Sequence, residues 1–170
     1  MAHSLALEVL TPEQTLLAGA VTAVSLRTSG GSLTVLPGRA PFVGDIVPGE
    51  VRVEREDASA VRVAVHGGYV QVDTRRGAAS GLAGGEDGPI AGVSTRVTLL
   101  VGIAELAEDI DLPRAEAARA DAQARLDQLR AAGTRGGDTA DAGVVADLER
   151  AEAEQALARA ELRIAVGSGA

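Results

Sequence analysis

The sequence changes character near Gly102, and this change restricts the chain to a fold of two unlike parts. Before this point, Val, Leu, Thr and Ile stand in short runs separated by Gly, Pro and Asp, which is typical of β-strands joined by turns. After it, Ala, Glu, Asp, Arg and Leu dominate, and Gly is absent until Gly133. We therefore predict an all-β domain over residues 1–102 and an α-helical antiparallel hairpin over residues 103–170.

The all-β part is predicted to be a sandwich. Its predicted strands are Leu5–Leu10, Leu16–Ala18, Ala20–Leu26, Ser32–Leu36, Asp45–Val47, Glu50–Glu54, Ala60–Val65, Tyr69–Asp73 and Arg96–Leu100. In Val51–Glu54 and Val61–Val65, apolar and polar residues alternate, so one face of each strand meets a core. Residues 75–94 have Gly at six of twenty positions and are predicted to form a flexible inserted loop. Many short strands at close spacing favour a sandwich or barrel.

The second part is predicted to contain helices over about 111–132 and 144–165, joined by the Gly-rich segment 133–143. Asp111 is placed to cap the first helix, and Pro113 fits its first turn, where a missing N–H costs nothing. Apolar residues at steps of three and four predict the packing faces, which are Ala115, Ala118, Ala122, Leu126 and Leu129 on the first helix and Val144, Leu148, Ala151, Gln155, Ala158, Leu162 and Ala165 on the second. Ala buries fewer CH₂ groups than Leu, and each buried CH₂ contributes ~0.8 kcal/mol. We therefore expect the two helices of this mostly Ala-lined hairpin to be held together weakly.

The composition argues against several classes of function. The chain has no Lys, which excludes a Walker phosphate loop, and no Cys, which excludes thiolate chemistry and disulfides. Its two His are far apart in sequence, and its adjacent acids are better explained as solvated surface than as a catalytic pair. A net charge of -8 with one Phe, one Tyr and no Trp disfavours nucleic-acid binding. With no apolar run near ~20 residues and no secretory signal visible, we expect a cytoplasmic protein that meets a membrane only through partners.

Five segments, in this order and spacing, resemble the epsilon subunit of F-type ATP synthases, which is called delta in mitochondria. The segments are Leu7–Glu13, Leu36–Phe42, Gly67–Val72, Arg96–Leu100 and the Ala-, Glu- and Arg-rich hairpin that follows. The chain departs from the family pattern in having Arg39 where the family usually has His, and in the length of its segments 75–94 and 133–143. The resemblance covers nearly the whole chain and implies the same fold that the residue pattern predicts.

The resemblance implies a non-catalytic subunit of the rotor stalk, monomeric within the complex, on the cytoplasmic face of the cell membrane. The sandwich would bind the gamma subunit and the c-ring and so help to couple proton flow to ATP synthesis. The helices would either lie folded on the sandwich or extend into the alpha/beta catalytic hexamer, where they would inhibit ATP hydrolysis. By position, the contact with gamma and the c-ring would involve Ser29, Gly30, Gly31, Ser32, Pro37, Gly38, Arg39, Ala40, Pro41 and Phe42.

The resemblance also implies a regulatory ATP site, although no cofactor is required. Ile110, Asp111, Arg114 and Ala115 match an Ile/Leu-Asp-x-x-Arg-Ala pattern of family members that bind ATP, and Glu105, Arg159 and Arg163 match further contacts. A family arginine of the first helix is replaced here by Asp121, with Arg119 nearby. The alternative explanation is that Asp111 is a helix cap and that the arginines are solvated or paired with neighbouring acids.

Two other functions compete with a stalk subunit. One is a free-standing module whose hairpin closes on ATP and signals elsewhere, which co-purification with gamma would distinguish. The other is a β-sandwich enzyme with the hairpin as a lid. The lack of Lys, Cys, a usable His and clustered carboxylates argues against the enzyme.

Overall fold

A computed structural model describes residues 4–74, 95–133 and 140–169, with the side chains of 133 and 140–143 left aside. The chain divides into two compact units, Met1–Leu106 and Ala107–Ala170, each of which has its own packing. The predicted inserted loop 75–94 lies outside the described residues, and so do residues 134–139 of the predicted connection between the helices. No helix in the described part is long and apolar enough to cross a membrane.

The first unit is a β-sandwich of two five-stranded sheets, as predicted. One sheet has the strand order β2-β1-β9-β8-β5, and the other has the order β10-β7-β6-β3-β4. Most neighbours are antiparallel, but β1 pairs with β9 in parallel, with Leu5 opposite Thr95. The strands are β1 (Leu5–Leu10), β2 (Thr15–Val21), β3 (Ala23–Thr28), β4 (Gly31–Val35), β5 (Phe42–Ile46), β6 (Gly49–Glu54), β7 (Ala60–Val65), β8 (Gly68–Thr74), β9 (Thr95–Val101) and β10 (Ala104–Leu106).

The core between the sheets is built from alternate strand residues and is aliphatic. In β1, Leu5, Leu7 and Val9 are buried, whereas the residues between them are partly exposed. The same alternation occurs in β9 and β8, where Val97, Leu99, Val70 and Val72 point inward. A single Phe in the chain, Phe42, packs against this core from its edge.

Beyond shifts of a few residues at strand ends, two features of the sandwich differ from the sequence prediction. Strand β2 continues across Gly19, where we expected a break, and the interruption falls instead at Thr22. The backbone N–H and hydroxyl of Thr22 both donate to the carbonyl of Glu54, at 2.8 and 3.0 Å, so a neighbouring strand satisfies the bend. The second difference is β10, which pairs with Val63–Val65 of β7 and extends the sandwich to Leu106. Three residues are too few to show a period, and for this reason the sequence placed the boundary at Gly102.

The second unit begins with a short 3-10 turn at Ala107–Asp109 and contains two helices, α1 (Leu112–Gly133) and α2 (Ala140–Gly167). The helices pack as a hairpin. Near one end of the hairpin, Gly167 approaches the start of α1 so closely that an added Cβ would lie 2.9 Å from the Leu112 side chain and 3.1 Å from that of Ile110. The end of α2 therefore packs on the beginning of α1.

The packing face predicted for α1 is largely observed, but the face predicted for α2 is wrong. On α1, Ala115, Ala122 and Leu126 are buried. On α2, however, Val144 and Leu148 are 69% and 61% exposed, and the buried residues are Ala153, Ala160 and Val166. The observed face is displaced by two residues, or about 200° around the helix. Because Ala occupies both faces of α2, apolar periodicity alone selected the wrong one.

Candidate functional site

The segment Leu36–Arg39 forms a tight β-turn. The Arg39 N–H donates to the Leu36 carbonyl at 3.1 Å, which closes the turn. Pro37 is its second residue, and Gly38 is its third, with φ +83°. A proline followed by a glycine with positive φ defines a type II turn, because only glycine adopts that third position without strain. The sequence therefore specifies one conformation for this turn.

Two threonine hydroxyls hold the turn. The Gly38 N–H donates to Oγ1 of Thr95 at 2.8 Å, and the hydroxyl of Thr74 donates to the carbonyl of Arg39. Thr74 and Thr95 lie directly opposite each other where β8 ends and β9 begins. After the turn, Ala40 and Pro41 are exposed, as is Arg39.

Strand β5 follows the turn and is tied to the β3–β4 hairpin. Ser29 donates its hydroxyl proton to Oδ1 of Asp45 at 2.7 Å. This hydrogen bond stabilises the charged carboxylate and holds the pKa of Asp45 below its ordinary value. Within the hairpin, the hydroxyl of Thr28 donates to the carbonyl of Gly31 at 3.0 Å. The loop at Ser29 is therefore fixed both to its own strand and to β5.

These elements enclose a groove of about 400 Å³ on the sandwich, lined by Thr28, Ser29, Gly30, Gly31, Ser32, Leu33, Phe42, Val43, Gly44 and Asp45. The ring of Phe42 lies over Gly44, so closely that an added Cβ there would be 2.6 Å from Cζ of the ring. The structure thus brings the predicted contact residues 29–32 together with Phe42. Residues 37–41 do not line the groove and lie in the preceding turn and its exit.

The sequence analysis missed an apolar surface next to this groove. Val43, Tyr69 and Leu100 are 71%, 64% and 48% exposed. Tyr69 stands between Asp45 and Leu100 in the register of β5, β8 and β9, and all of these residues lie on the outer face of the sheet. Alternation was the available signal, because Tyr69 precedes the inward-facing Val70 and is therefore directed outward.

In the hairpin, the motif Ile110–Ala115 has clear structural roles. Asp111 caps α1, because its Oδ1 accepts the backbone N–H of Arg114 at 3.0 Å. Ile110 and Ala115 are buried, at 8% and 0% exposure. Of the three matched positions other than the cap, only Arg114 has an exposed side chain. The motif is therefore explained in large part by capping and packing.

A groove of about 500 Å³ lies between α1 and α2 and contains one of the predicted ATP-contacting arginines, Arg159. Asp121 and Arg125 of α1 and Glu152 of α2 also line it. Neither Arg125 nor Arg159 takes part in an ion pair with any described residue. Arg163 lies one turn beyond Arg159 and is half-buried. The sequence analysis missed Arg125.

Helical spacing could have found Arg125. Arg114, Asp121 and Arg125 follow at steps of seven and four, so they share one face of α1. Arg119, which we considered from the sequence, is exposed and does not line the groove. Glu105 belongs to the first unit, where it lies in β10 opposite Ala64.

The β-sandwich of this chain matches a known domain family. The family model described as ATP synthase, Delta/Epsilon chain, beta-sandwich domain matches residues 4–76. A chain in the structure of the Euglena gracilis mitochondrial ATP synthase OSCP/F1/c-ring shares the fold, with a TM-score of 0.63 and 20% identity over 93% of this chain and 78% of that one. The fold is thus the β-sandwich and helix pair found in that assembly.

Relatives of known sequence define the family. The ATP synthase epsilon chain of Symbiobacterium thermophilum is 32% identical over 161 residues, which are 94% of this chain and 90% of that relative. The epsilon chain of Thermobifida fusca is 36% identical over 120 residues, 69% of this chain and 74% of the relative. This chain belongs to the ATP synthase epsilon chain family, which confirms the resemblance noted from its sequence.

Proposed function

We propose that this chain is the non-catalytic epsilon subunit in the central stalk of a proton-translocating ATP synthase. In that place it couples proton flow to rotary ATP synthesis and restrains ATP hydrolysis through its hairpin. The observation that carries the proposal is the end-to-end match with the Symbiobacterium thermophilum epsilon chain, because it spans both the sandwich and the helices. The setting would be the cytoplasmic face of the cell membrane, as a peripheral subunit.

The sandwich would meet gamma and the c-ring through its groove, the adjoining Leu36–Phe42 turn and the exposed surface around Tyr69. The groove and turn are rigid, since two threonines hold the turn and Ser29 ties the β3–β4 loop to Asp45. Tyr69 adds a large, partly apolar side chain at 64% exposure, and aromatic residues of this kind are enriched at protein interfaces. A prepared rigid surface binds with little loss of conformational entropy.

Charge reversal at Arg39 tests this contact. We expect Arg39→Glu to weaken co-purification with gamma and the c-ring and to reduce proton-driven ATP synthesis in the assembled complex. The matched control is Arg55→Glu, since Arg55 is also exposed and lies at a different turn of the sandwich, between β6 and β7. Normal assembly and synthesis in the Arg39 variant would remove the contact proposal. Failure of the unaltered chain to co-purify with gamma would favour a free-standing module.

The hairpin would regulate ATP hydrolysis. Its packing face offers a physical reason for mobility, because most of its buried residues are Ala and each contributes little to holding the helices. Truncation should follow Leu106 rather than Gly102, so that β10 stays in the sandwich. We expect the complex with the truncated chain to hydrolyse ATP faster and to retain gamma. An unchanged hydrolysis rate would remove the regulatory role and leave the stalk role intact.

The groove between α1 and α2 would bind the phosphates of ATP as a regulatory ligand. Arg125 and Arg159 lie in it, and Arg114 and Arg163 continue the same faces of their helices. The forked guanidinium donors suit phosphate oxygens. A groove of about 500 Å³ falls within the usual range for small-molecule sites, ~300–1,000 Å³. Asp121 and Glu152 oppose an anion in the same groove, so we expect weak and salt-sensitive binding.

Calorimetric titration of the full chain with ATP tests the site. We expect Arg125→Ala and Arg159→Ala each to reduce affinity about tenfold, the effect of losing one hydrogen bond to a charged group. Arg119→Ala is the matched control, because this arginine has the same charge and helix but does not line the groove. No heat with the unaltered chain would end the ATP proposal. Equal losses at Arg119 and Arg125 would indicate general charge attraction rather than a site.

A further inference from the structure

We infer that Thr74 and Thr95 are positioning residues that hold Arg39 in place for the stalk contact. The inference rests on the proposed function, because it gives the turn its role. Thr95 is the one buried polar residue among those whose burial is described, 4–74, 95–132 and 144–169, at 1% exposure. A hydroxyl in such a place is costly unless it is hydrogen-bonded, and Oγ1 of Thr95 accepts the Gly38 N–H of the turn.

The sequence around Thr95 makes the choice of threonine specific. The inward-facing residues of β9 are Thr95, Val97, Leu99 and Val101, so an aliphatic residue would fit the pattern at the first position. Valine has nearly the same shape as threonine but offers no acceptor for the Gly38 N–H. Thus the hydroxyl is the group that distinguishes threonine here, and what it contacts is the turn.

The second threonine completes the hold. Thr74 is the direct cross-strand partner of Thr95, and its hydroxyl donates to the Arg39 carbonyl. The two hydroxyls thus bind consecutive residues of the turn, the N–H of Gly38 and the C=O of Arg39. Gly38 is the residue with positive φ, where the backbone is least restricted by side-chain sterics. The two hydrogen bonds fix the backbone at Gly38, the most flexible residue of the turn, and thereby orient Arg39.

This arrangement joins two distant parts of the chain. Thr95 and Gly38 are 57 residues apart, and Thr74 and Arg39 are 35 apart. Thr74 is the last residue of β8 and Thr95 is the first residue of β9. A change in how these two strand ends are spaced would therefore act directly on the turn.

Hydrogen exchange of the Gly38 amide in the full chain tests the hold without reference to function. We expect Thr95→Val to speed this exchange about tenfold, and Thr95→Ser, which keeps the hydroxyl, to restore protection. The control is Thr98→Val, on the same strand but facing outward, which should leave the Gly38 amide unchanged. Core amides such as that of Val70 should be unaffected in each variant. An unchanged Gly38 exchange rate in Thr95→Val would overturn the inference.

Assembly with gamma and the c-ring then tests the functional part. We expect Thr95→Val to reduce proton-driven ATP synthesis in the same direction as Arg39→Glu, and Thr95→Ser to restore it. If Arg39→Glu impairs synthesis while Thr95→Val loosens the turn with no effect on synthesis, positioning is refuted and the contact stands. If Arg39→Glu has no effect, the proposed contact itself fails, and the exchange measurement still decides whether the threonines hold the turn.

Discussion

Replacing Leu126 with Ala tests which faces of the two helices hold the hairpin together. Leu126 is 3% exposed, and most of the other buried residues of this unit are Ala. At ~0.8 kcal/mol for each buried CH₂ or CH₃ group, shortening Leu to Ala removes about 2.4 kcal/mol of burial. The residual cavity adds to this loss, and the higher helix propensity of Ala returns a few tenths. We expect the hairpin to lose about 2–4 kcal/mol, a large share of what a small Ala-rich interface provides.

The matched control is Leu148→Ala on the other helix. Leu148 belongs to the packing face predicted from the sequence, but the structure leaves it 61% exposed. Its removal should change stability by less than about 0.5 kcal/mol, as is usual for surface substitutions. The two leucines therefore separate the observed face of the hairpin from the one that periodicity favoured.

Urea unfolding of the full chain provides the assay, with one signal for each unit. Far-ultraviolet circular dichroism follows the helices. Tyrosine fluorescence follows the sandwich alone, because the single Tyr, Tyr69, lies in β8 and the chain has no Trp. We expect Leu126→Ala to shift the helical transition and leave the tyrosine transition in place. Equal shifts for Leu126→Ala and Leu148→Ala would refute the observed packing of α2.

Three further predictions concern local contacts. Gly68→Ala should destabilise the sandwich by about 3 kcal/mol in the tyrosine assay, since its Cβ would meet the backbone of β9, including Val101 Cα at 2.9 Å. Ser29→Ala should raise the Asp45 pKa toward its ordinary value in an NMR titration. Because the folded state lowers this pKa, the hydrogen bond from Ser29 stabilises the fold at pH values above the unfolded-state pKa of Asp45. This stabilisation is lost as the pH falls through the folded-state pKa. Asp111→Ala should cost α1 about 1 kcal/mol, measured by circular dichroism, while Asp111→Asn should retain most of the cap.

The sandwich could be predicted from the sequence because apolar and polar residues alternate along its strands with a period of two. The bounds of β1 and β7 agree with the prediction, and the other predicted strands are displaced or shortened by a few residues. Strand β10 was missed because three residues cannot display a period. The face of α2 was misjudged because Ala is compatible with both a buried and an exposed position.

The candidate sites could be predicted from the sequence only in part, because they depend on contacts between segments far apart in the chain. The turn Leu36–Phe42 was visible from its prolines and glycine, yet nothing local indicated that Thr95 accepts its Gly38 N–H. Helical spacing places Arg125 on one face with Arg114 and Asp121, but the sequence does not show that this face borders a groove against α2. The outward direction of Tyr69 follows from the alternation of β8, because the next residue, Val70, is buried.

The parallel pairing of β1 with β9 has a consequence for how the protein folds during its synthesis on the ribosome. The first strand of the chain lies in the interior of its sheet, and its partner on one side is separated from it by about ninety residues, as Leu5 opposite Thr95 illustrates. Strands β3 and β4, or β6 and β7, need only short loops to pair, so the sheet they share can form while synthesis continues, except for its edge strand β10. The sheet that contains β1 must wait until Val101 has emerged. Until then β1 has an open edge, and we expect premature release at this stage to yield a chain that aggregates.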